Sequence, residues 1–402
     1  MTVLMNEEKK AESIITFNDF QIPGVIRFGE GALVTIKDEV LAKKPSKIFI
    51  VSDKGVEKAG LVDELKNVLK PLEIPIETMT DIVGEPTFAL VERTIKILNQ
   101  SEADFVIGIG GGSALDVAKA SAALQDKKDL EDYFSGNKII ENRIMSCVLL
   151  PTTSGTGAEV TKNAIFADEE EGVKKGIVSS ALLPDTAIVD PKLTLSCPAR
   201  VTAASGVDAF THAIESYIST NATEQTRIYS EKSMKLFAKH ITNAVHNGSN
   251  IKDRSGMSWA SLLGGVSLAN AGVGAVHAMA YPLGGTYHIE HGVANALLMP
   301  YVFKVIGKTC TNDMVRVASF IEIGDFSNSK HQALDSVVNY LMKLLKDLNL
   351  PTSLKELGVK QSDLPNLAEQ ASQVKRLLSN TPYRLSEEQI LRIYEDAYEG
   401  GE

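Results

Sequence analysis

The first half of the chain alternates short apolar runs with amphipathic stretches. The runs are rich in β-branched and aromatic residues, whereas the stretches between them place apolar residues at helical spacing. The strand-like runs are KIFIVSD (47–53), IPIETM (74–79), FVIGIGGGS (105–113), MSCVLLPTT (145–153) and TAIVDP (186–191). This alternation predicts a parallel sheet with crossover helices. We expect an α/β domain over residues 1–191, in which NAIFAD and VKKGIVS form a hairpin around the acidic turn EEEG.

Helical periodicity dominates the second half, which shows no convincing strand alternation. The helical segments are VTAASGVDAFTHAIESYIS (201–219), TRIYSEKSMKLFAKHITNAV (226–245), HQALDSVVNYLMKLLKDL (331–348) and EEQILRIYEDAYEG (387–400). Ser386 and Gln389 match a capping box before the last of them. We therefore predict an all-α domain over residues 192–402 and a functional site in the cleft between the two domains.

Residues 255–289 contain no formal charge and are long enough to cross a bilayer. The segment is rich in Gly, Ala and Ser, and Pro282 and the pair Gly284-Gly285 interrupt it. It therefore lacks a uniformly apolar stretch of about 20 residues. We interpret it as closely packed helices inside the second domain and expect no contact with a membrane.

Composition narrows the class of partner. The 402 residues carry a formal net charge of -10, and the clustered basic residues that nucleic acids and anionic lipids attract are missing. We expect small-molecule partners and other copies of the same chain. Three cysteines without a CxxC motif predict neither disulfides nor a thiolate metal site. The segment MTVLMNEEKKAES lacks a signal-peptide core, so we expect a cytoplasmic protein.

Two glycine-rich and hydroxyl-rich loops follow successive predicted strands. In the first, residues 108–113 (GIGGGS) open a helix and could present main-chain N–H groups to a pyrophosphate, although such turns are also ordinary strand-to-helix joints. In the second, residues 151–159 (PTTSGTGAE) could bind a nicotinamide amide and phosphates. Asp53 ends an earlier strand and either accepts from an adenosine ribose, which favours NAD over NADP, or caps a helix.

Four side chains have the chemistry of a metal site. Asp208 and His212 lie one helical turn apart, and His277 and His291 follow in AVHAMAYPLGGTYHIEHG. Proline and glycine between the two later histidines place them on different elements, and His288 competes with His291. Three imidazoles and a carboxylate suit Fe²⁺, Zn²⁺ or a similar ion. We expect the remaining histidines to face solvent, namely His240, His246 and His331.

Five motifs resemble the iron-containing (group III) alcohol dehydrogenase family. They are GGGSALDVAKA, PTTSGTGAEVT, LLPDTAIVDP, GVDAFTHAIESYIS and HAMAYPLGG followed by HGVANALLMP. They occur in this order, and the resemblance extends over roughly residues 20–305. The resemblance implies a Rossmann-like α/β domain that binds NAD(P), an all-helical metal-binding domain, and dimers or larger assemblies. This is the architecture that the family shares with dehydroquinate synthase.

The resemblance also implies roles for individual residues. It places the metal ligands on Asp208, His212, His277 and His291, which selects His291 over His288. Contacts to the cofactor fall on Asp53, Gly111, Gly112, Ser113, Thr152, Thr153, Thr156 and Lys174, and Asp116 is expected to organise the pyrophosphate loop. This chain departs from the family in having Tyr281 where many members carry a histidine of the proton relay, and Glu85-Pro86-Thr87 where many have Asn-Pro-Thr.

The predicted function is metal-dependent hydride transfer between NAD(H) and short primary alcohols or diols and their aldehydes. Fe²⁺ is the expected ion, with Zn²⁺ as an alternative. Tyr281 is a candidate for substrate contact, together with Phe166 and Leu268 as guesses for the pocket lining. Three other functions stay open at this point: a glycerol-type polyol dehydrogenase, a dehydroquinate-synthase-like cyclase, and a non-catalytic nucleotide-binding protein in which the metal only joins helices.

Overall fold

The computed structural model of the chain describes residues 19–168 and 173–400. The predicted turn EEEG and the N-terminal segment MTVLMNEEKKAES lie outside these residues. The strands are β1 (Val25–Phe28), β2 (Ile48–Asp53), β3 (Ile76–Ile82), β4 (Phe105–Gly110), β5 (Ser146–Pro151), β6 (Asn163–Asp168), β7 (Val173–Val178) and β8 (Thr186–Val189). All the predicted strands are present, and β1 was not foreseen.

Six strands form one parallel sheet in the order β1-β8-β5-β4-β2-β3. Its central strands are buried on both faces, which explains their unbroken apolar runs. Along β2, Ile48 and Ile50 join one hydrophobic cluster while Phe49 and Val51 join the other, because successive side chains point to opposite faces. The strands β6 and β7 pair antiparallel as the predicted hairpin.

The order of the strands reverses between β2 and β4. The helices after β2 are α2 (Lys54–Lys58) and α3 (Leu61–Leu69), and they pack on the face of Ile48, whereas α4 (Phe88–Ser101) and α5 (Gly112–Leu124) cover the opposite face. Connections that leave opposite faces of a sheet open a crevice at the carboxyl ends of the strands between them. Asp53 and Gly110 end the two strands at this crevice.

Two further helices accompany the sheet, α1 (Ile36–Lys43) and α6 (Leu130–Phe134). After β8 and a 3-10 turn at Pro191–Thr194, the described chain contains no further strand. The helices that follow are α7 (Ala199–Ile218), α8 (Glu224–His246), α9 (Ile251–Ala271), α10 (Ala275–Tyr287), α11 (His291–Ile306), α12 (Thr311–Phe320), α13 (Lys330–Asp347), α14 (Leu364–Gln373), α15 (Lys375–Leu378) and α16 (Glu387–Glu399). The predicted fold class, an α/β domain with a parallel sheet followed by an all-α domain, is confirmed.

The helical domain has its own large hydrophobic cluster, which α7, α8, α10, α11, α13, α14 and α16 share. The predicted capping box is present at the start of α16, where Ser386 and Gln389 cap each other's main-chain N–H groups. Pro282 does not end a helix, because α10 continues through it to Tyr287. The chain breaks instead at residues 288–290, where His288 takes a left-handed conformation with φ of 53°.

The uncharged segment folds as α9 and α10, and most of its side chains are buried in the helical domain. Among the described residues, no single helix has the length and apolar character needed to cross a membrane. The pair Ile251–Ala271 and Ala275–Tyr287 meets both criteria only when combined, and it is bent by 101°.

Candidate active site

Four side chains from three helices converge in the helical domain. Asp208 and His212 lie one turn apart on α7, His277 lies in the first turn of α10, and His291 is the first residue of α11. The Asp208 Oδ1 atom lies 3.8, 3.7 and 4.0 Å from the Nε2 atoms of His212, His277 and His291. One ligand atom from each residue lies within 4.8 Å of all the others. The ligand-to-ligand distance around a tetrahedral ion with bonds of about 2.1 Å is about 3.4 Å, a few tenths of an ångström shorter than the three distances from Asp208.

Burial sets the charge states of this cluster. It lowers the pKa of His212, and it lowers that of His291 well below the ordinary value, which keeps both imidazoles neutral. Burial alone would raise the pKa of Asp208, but the nearby histidines and the Asn295 amide outweigh that effect and lower it. Neutral imidazoles and an ionised carboxylate are the forms that bind a metal.

An unsatisfied nitrogen also fits a metal ion. His277 is 3% exposed, and its Nε2 atom has no hydrogen-bond partner within the described residues. A buried polar atom of this kind is costly unless a ligand binds it. The four residues therefore fit a divalent ion that the Nε2 of His277 would help to bind.

Two residues that orient the candidate ligands were missed in the sequence. Glu215 lies two turns after Asp208 on α7, and its carboxylate accepts from His277 Nδ1 at 2.6 Å and from the Val276 N–H at 2.7 Å. The Asn295 amide donates to Asp208 Oδ1 at 2.7 Å. A carboxylate behind a histidine ligand fixes the tautomer and raises the basicity of the metal-binding nitrogen. The spacing of Glu215 on the helix of Asp208 was the signal that could have revealed it.

The first glycine-rich loop lies at the end of β4. Gly111 precedes α5, which begins at Gly112, and a Cβ at Gly112 would lie 2.6 Å from the Thr156 methyl group. Gly110 has φ of +159°, and as a glycine it places no side chain in the crevice. Its carbonyl accepts from the Thr152 N–H at 2.9 Å, so the two loops are joined at adjacent strand ends. Glycine at these positions leaves main-chain N–H groups at a helix N-terminus accessible to a phosphate.

The second loop docks on the helical domain through backbone contacts. A Cβ at Gly155 would lie 2.5 Å from the Ser205 Cβ on α7, and a Cβ at Gly157 would lie 2.5 Å from the Gly265 Cα on α9. Gly157 also has φ of +60°, a backbone conformation that residues other than glycine rarely adopt. Only glycine lets the loop approach the two helices this closely. Thr153 in the same loop lies beside Gly111 across the crevice.

Asp53 caps α2 in the structure. Its Oδ1 accepts from the N–H groups of Gly55 at 2.9 Å and Val56 at 3.0 Å. Of the two roles considered for Asp53, the structure therefore displays the helix cap. Its second oxygen faces Gly110, and contact with a ribose stays a prediction.

The contacts of Asp116 differ from the expected ones. The Asp116 carboxylate accepts from the Ile165 N–H of β6 at 2.9 Å and pairs with Lys119 at 2.9 Å, and its expected role at the pyrophosphate loop stays a prediction. It lies on the second turn of α5, from which its side chain reaches the hairpin rather than the loop. Burial raises the pKa of Asp116, and the charge of Lys119 opposes that rise.

Lys174 forms an ion pair with Glu85, the first residue of the Glu-Pro-Thr departure. Its side chain is 1% exposed, and a Cβ at Gly284 of α10 would lie 2.5 Å from the Lys174 ammonium nitrogen. Gly284 therefore lets this lysine of the α/β domain pack against the helical domain, beside the candidate metal ligands.

A cavity of about 210 Å³ joins these groups. Its walls contain the four candidate metal ligands, Gly112, Ser113, Asp116, Thr156 and Lys174, and also Glu85, Leu268, Tyr281 and Arg376. Two of the three guesses for the pocket lining, Leu268 and Tyr281, therefore lie at the cavity. The third, Phe166, was wrong, because it is fully buried in the core of the α/β domain against Phe88.

Tyr281 lies next to the candidate metal set, with its ring centroid 6.1 Å from that of His291. Burial raises the pKa of its hydroxyl, and the neighbouring Arg376 guanidinium opposes part of this rise. The hydroxyl therefore stays protonated at neutral pH and can donate a hydrogen bond, but it is a poor base.

The other histidines do not join the cluster. His288 is exposed, which agrees with the choice of His291, and His246 and His331 are exposed as expected. The expectation for His240 was wrong. His240 is 6% exposed, and its Nδ1 pairs with Asp253 at 2.7 Å in a space that the absence of a side chain at Gly256 provides.

Comparisons with known proteins identify the family. The sequence models of the iron-containing alcohol dehydrogenase family match residues 23–191, and those of its C-terminal domain match residues 202–398. The chain is 38% identical to long-chain-alcohol dehydrogenase 1 of Geobacillus thermodenitrificans over 94% of this chain and 96% of that one.

Solved structures agree with the sequence match. A 1,3-propanediol oxidoreductase superposes with a TM-score of 0.91 at 32% identity, over 95% of this chain and all of the other. A sulfoacetaldehyde reductase from Bifidobacterium kashiwanohense in complex with NAD+ superposes with a TM-score of 0.85 at 27% identity, over 94% and 98%. The sequence-based prediction is thus confirmed, and the chain belongs to the iron-containing alcohol dehydrogenase family.

Proposed function

We propose that this protein transfers hydride between NAD(H) and short primary alcohols or diols and their aldehydes. The observation that carries the proposal is one cavity lined both by the four-residue metal set and by the start of the phosphate-loop helix. The name of the superposed 1,3-propanediol oxidoreductase supports a short diol as substrate. The name of the Geobacillus relative, long-chain-alcohol dehydrogenase 1, indicates a longer alcohol. Membership of the family favours a dehydrogenase over the cyclase and the non-catalytic alternative.

The α/β domain would bind the cofactor. Gly111, Gly112 and Ser113 would offer main-chain N–H groups to the pyrophosphate at the start of α5, and the Asp53 carboxylate would repel the 2′-phosphate of NADP. Thr152 and Thr153 would contact the nicotinamide half, because their loop adjoins both β4 and the helical domain. The NAD+ complex of the superposed reductase supports NAD as the cofactor.

The helical domain would bind the metal and orient the substrate. Three imidazoles and one carboxylate suit Fe²⁺, and Zn²⁺ fits the same donor set. When bound, such an ion supplies the Lewis acidity that polarises the substrate oxygen. Glu215 holds the His277 ring with its Nε2 towards Asp208, and Asn295 holds the carboxylate. Tyr281 would donate a hydrogen bond from its protonated hydroxyl to the substrate.

Activity measurements on a panel of alcohols and aldehydes test this function. The panel is run with NADH and NADPH on metal-free, Fe²⁺-loaded and Zn²⁺-loaded protein. We expect NADH-linked turnover that requires a metal. His277→Ala should abolish turnover and leave the affinity for NADH largely intact, whereas His288→Asn, at an exposed position of the same segment, should match the unaltered protein. Full turnover by the metal-free protein or by His277→Ala would contradict the proposal.

The domain division, the assembly and the location are also proposals. We propose separate units over residues 1–191 and 192–402, a homodimer or larger assembly, and a cytoplasmic enzyme. Strand β1 supports self-association, because it lies at one edge of the sheet and Val25 and the nearby Ile22 are each 42% exposed. Light scattering at micromolar concentration should give at least twice the mass of the chain, and a monomer would refute the assembly.

A further inference from the structure

Arg376 differs from the other basic groups at the cavity. Lys174 pairs with Glu85, and Lys119, behind the wall, pairs with Asp116. Within residues 19–168 and 173–400, no ion pair involves Arg376, and its neighbour at the cavity is the hydroxyl of Tyr281. The guanidinium therefore brings a positive charge to the cavity wall that no described carboxylate neutralises.

The packing of α15 fixes the position of this charge. Leu377, the next residue, is 2% exposed and shares a small hydrophobic cluster with Val273, Ala278 and Tyr281. Burial of a leucine side chain stabilises the folded arrangement of the helix that carries it. The anchored Leu377 thereby holds the short helix beside Tyr281, so that Arg376 lines the cavity while its residue as a whole stays exposed to solvent.

The guanidinium faces the backbone of the α/β domain. On the facing strand β7, a Cβ at Gly176 would lie 3.5 Å from the Arg376 Nη2 atom. A glycine here places bare backbone opposite the arginine. Arg376 therefore lies where the two domains meet, on the helical-domain wall with Leu268 and Tyr281, whereas Gly112 and Ser113 line the α/β-domain side.

The carboxylates of the cavity do not oppose an anionic ligand. Glu85 and Asp116 are paired with lysines, and Asp208 belongs to the candidate metal set. A ligand carboxylate or sulfonate would thus meet one unneutralised cation and the Tyr281 hydroxyl. An arginine binds such groups with two parallel hydrogen bonds, which adds both affinity and orientation.

We propose that Arg376 recognises an anionic group at the end of the substrate opposite its carbonyl, so that short aldehydes with a carboxylate or sulfonate are preferred substrates. This inference rests on the proposed dehydrogenase function and names its substrate class. In the reduction, the aldehyde carbon gains a hydride from NADH and its oxygen gains a proton from solvent, while the anionic group stays unchanged.

Two aldehydes of equal chain length test the preference. Succinate semialdehyde carries a carboxylate where butanal has a methyl group, and both are reduced with NADH by the Fe²⁺-loaded protein. We expect kcat/KM to be higher for the anionic aldehyde. In Arg376→Gln the ratio of the two kcat/KM values should fall about 10- to 100-fold, the effect expected for a lost charge-assisted hydrogen bond, and mainly through KM.

Three comparisons sharpen the result. Lys375→Gln removes an exposed charge from the adjacent position and should leave both rates and their ratio as they are. Arg376→Lys should restore part of the ratio. The affinity of each variant for NADH shows whether the arginine serves the cofactor instead, and an unchanged ratio with weakened NADH binding would overturn the proposal.

A binding measurement separates this inference from the proposed function. Calorimetry with 4-hydroxybutyrate, in the presence of NAD+, should give a dissociation constant that rises by at least 10-fold in Arg376→Gln. Absence of turnover on both aldehydes would contradict the proposed function, whereas equal binding of 4-hydroxybutyrate by the two proteins would refute the role of Arg376 alone.

Discussion

The contact between Glu215 and His277 offers a direct test of the metal site. In Glu215→Gln the side chain keeps its shape but has one acceptor oxygen instead of two. The unaltered carboxylate accepts from His277 Nδ1 at 2.6 Å and from the Val276 N–H at 2.7 Å. An amide cannot accept both bonds with one oxygen in this geometry, so one of the two buried donors must face the amide NH₂ group.

Two independent magnitudes agree on the loss of metal affinity expected in Glu215→Gln. Removing a carboxylate behind a histidine ligand typically weakens metal binding about 10- to 100-fold. At about 1.4 kcal/mol for each tenfold change, this corresponds to roughly 1.4–2.8 kcal/mol. A hydrogen bond to a charged group contributes about 1.5–3 kcal/mol. We therefore expect the dissociation constant for Zn²⁺ or Co²⁺ to rise by one to two powers of ten.

Competition with a chelating dye measures this constant, and circular dichroism confirms that each variant is folded. Glu231→Gln is the matched control, because Glu231 lies on the surface of α8 in an exposed pair with Lys235. It should bind metal as the unaltered protein does. A folded Glu215→Gln variant whose metal affinity lies within twofold of the control would refute the role of Glu215.

Three further outcomes are expected. Burial raises the pKa of Glu159 from 4.5 to about 7, so the free energy of unfolding falls as the pH rises through that window. Glu159→Gln should thus raise stability by up to about 3 kcal/mol at pH 8 and leave it unchanged at pH 4, and equal effects on Tm at both pH values would contradict this. Glu85→Gln leaves the buried Lys174 ammonium without its carboxylate and should cost about 1–3 kcal/mol in urea unfolding, whereas Glu388→Gln, in an exposed pair, should cost about 0–0.5 kcal/mol. Removal of the metal by a chelator should lower Tm, since an ion present at 100 times its dissociation constant stabilises by about 2.7 kcal/mol, and identical Tm values would argue against binding.

Local periodicity was sufficient to predict the architecture. The strands β2, β4 and β5 are continuous apolar runs because both faces of the sheet are covered, and their loops show glycine where backbone must come close. The short strand β1 escaped notice, because an apolar run of only four residues, VIRF, is too short to show a strand period, and these residues are at most partly buried. Pro282 was given too much weight, since a helix of the packed interior tolerates the loss of one hydrogen bond.

The candidate site was predictable as far as residue type and spacing specify chemistry. Asp208 and His212 share a helix face, and their convergence with His277 and His291 could be expected once the resemblance was recognised. Contacts between distant segments were not predictable. The burial of His240 depends on Asp253 and on the missing side chain at Gly256, and the local pattern around His240 is that of an exposed amphipathic helix.

The backbone contact between Gly157 and Gly265 has a consequence for how the enzyme can be altered. Because main chain touches main chain there, the distance from the loop at the end of β5 to α9 does not depend on any side chain of the cavity wall. Replacing wall residues such as Leu268 should therefore reshape the space for the substrate without changing the distance between the substrate and cofactor sites. A methyl group on either glycine would instead push the two domains apart and slow the turnover of every substrate to a similar degree.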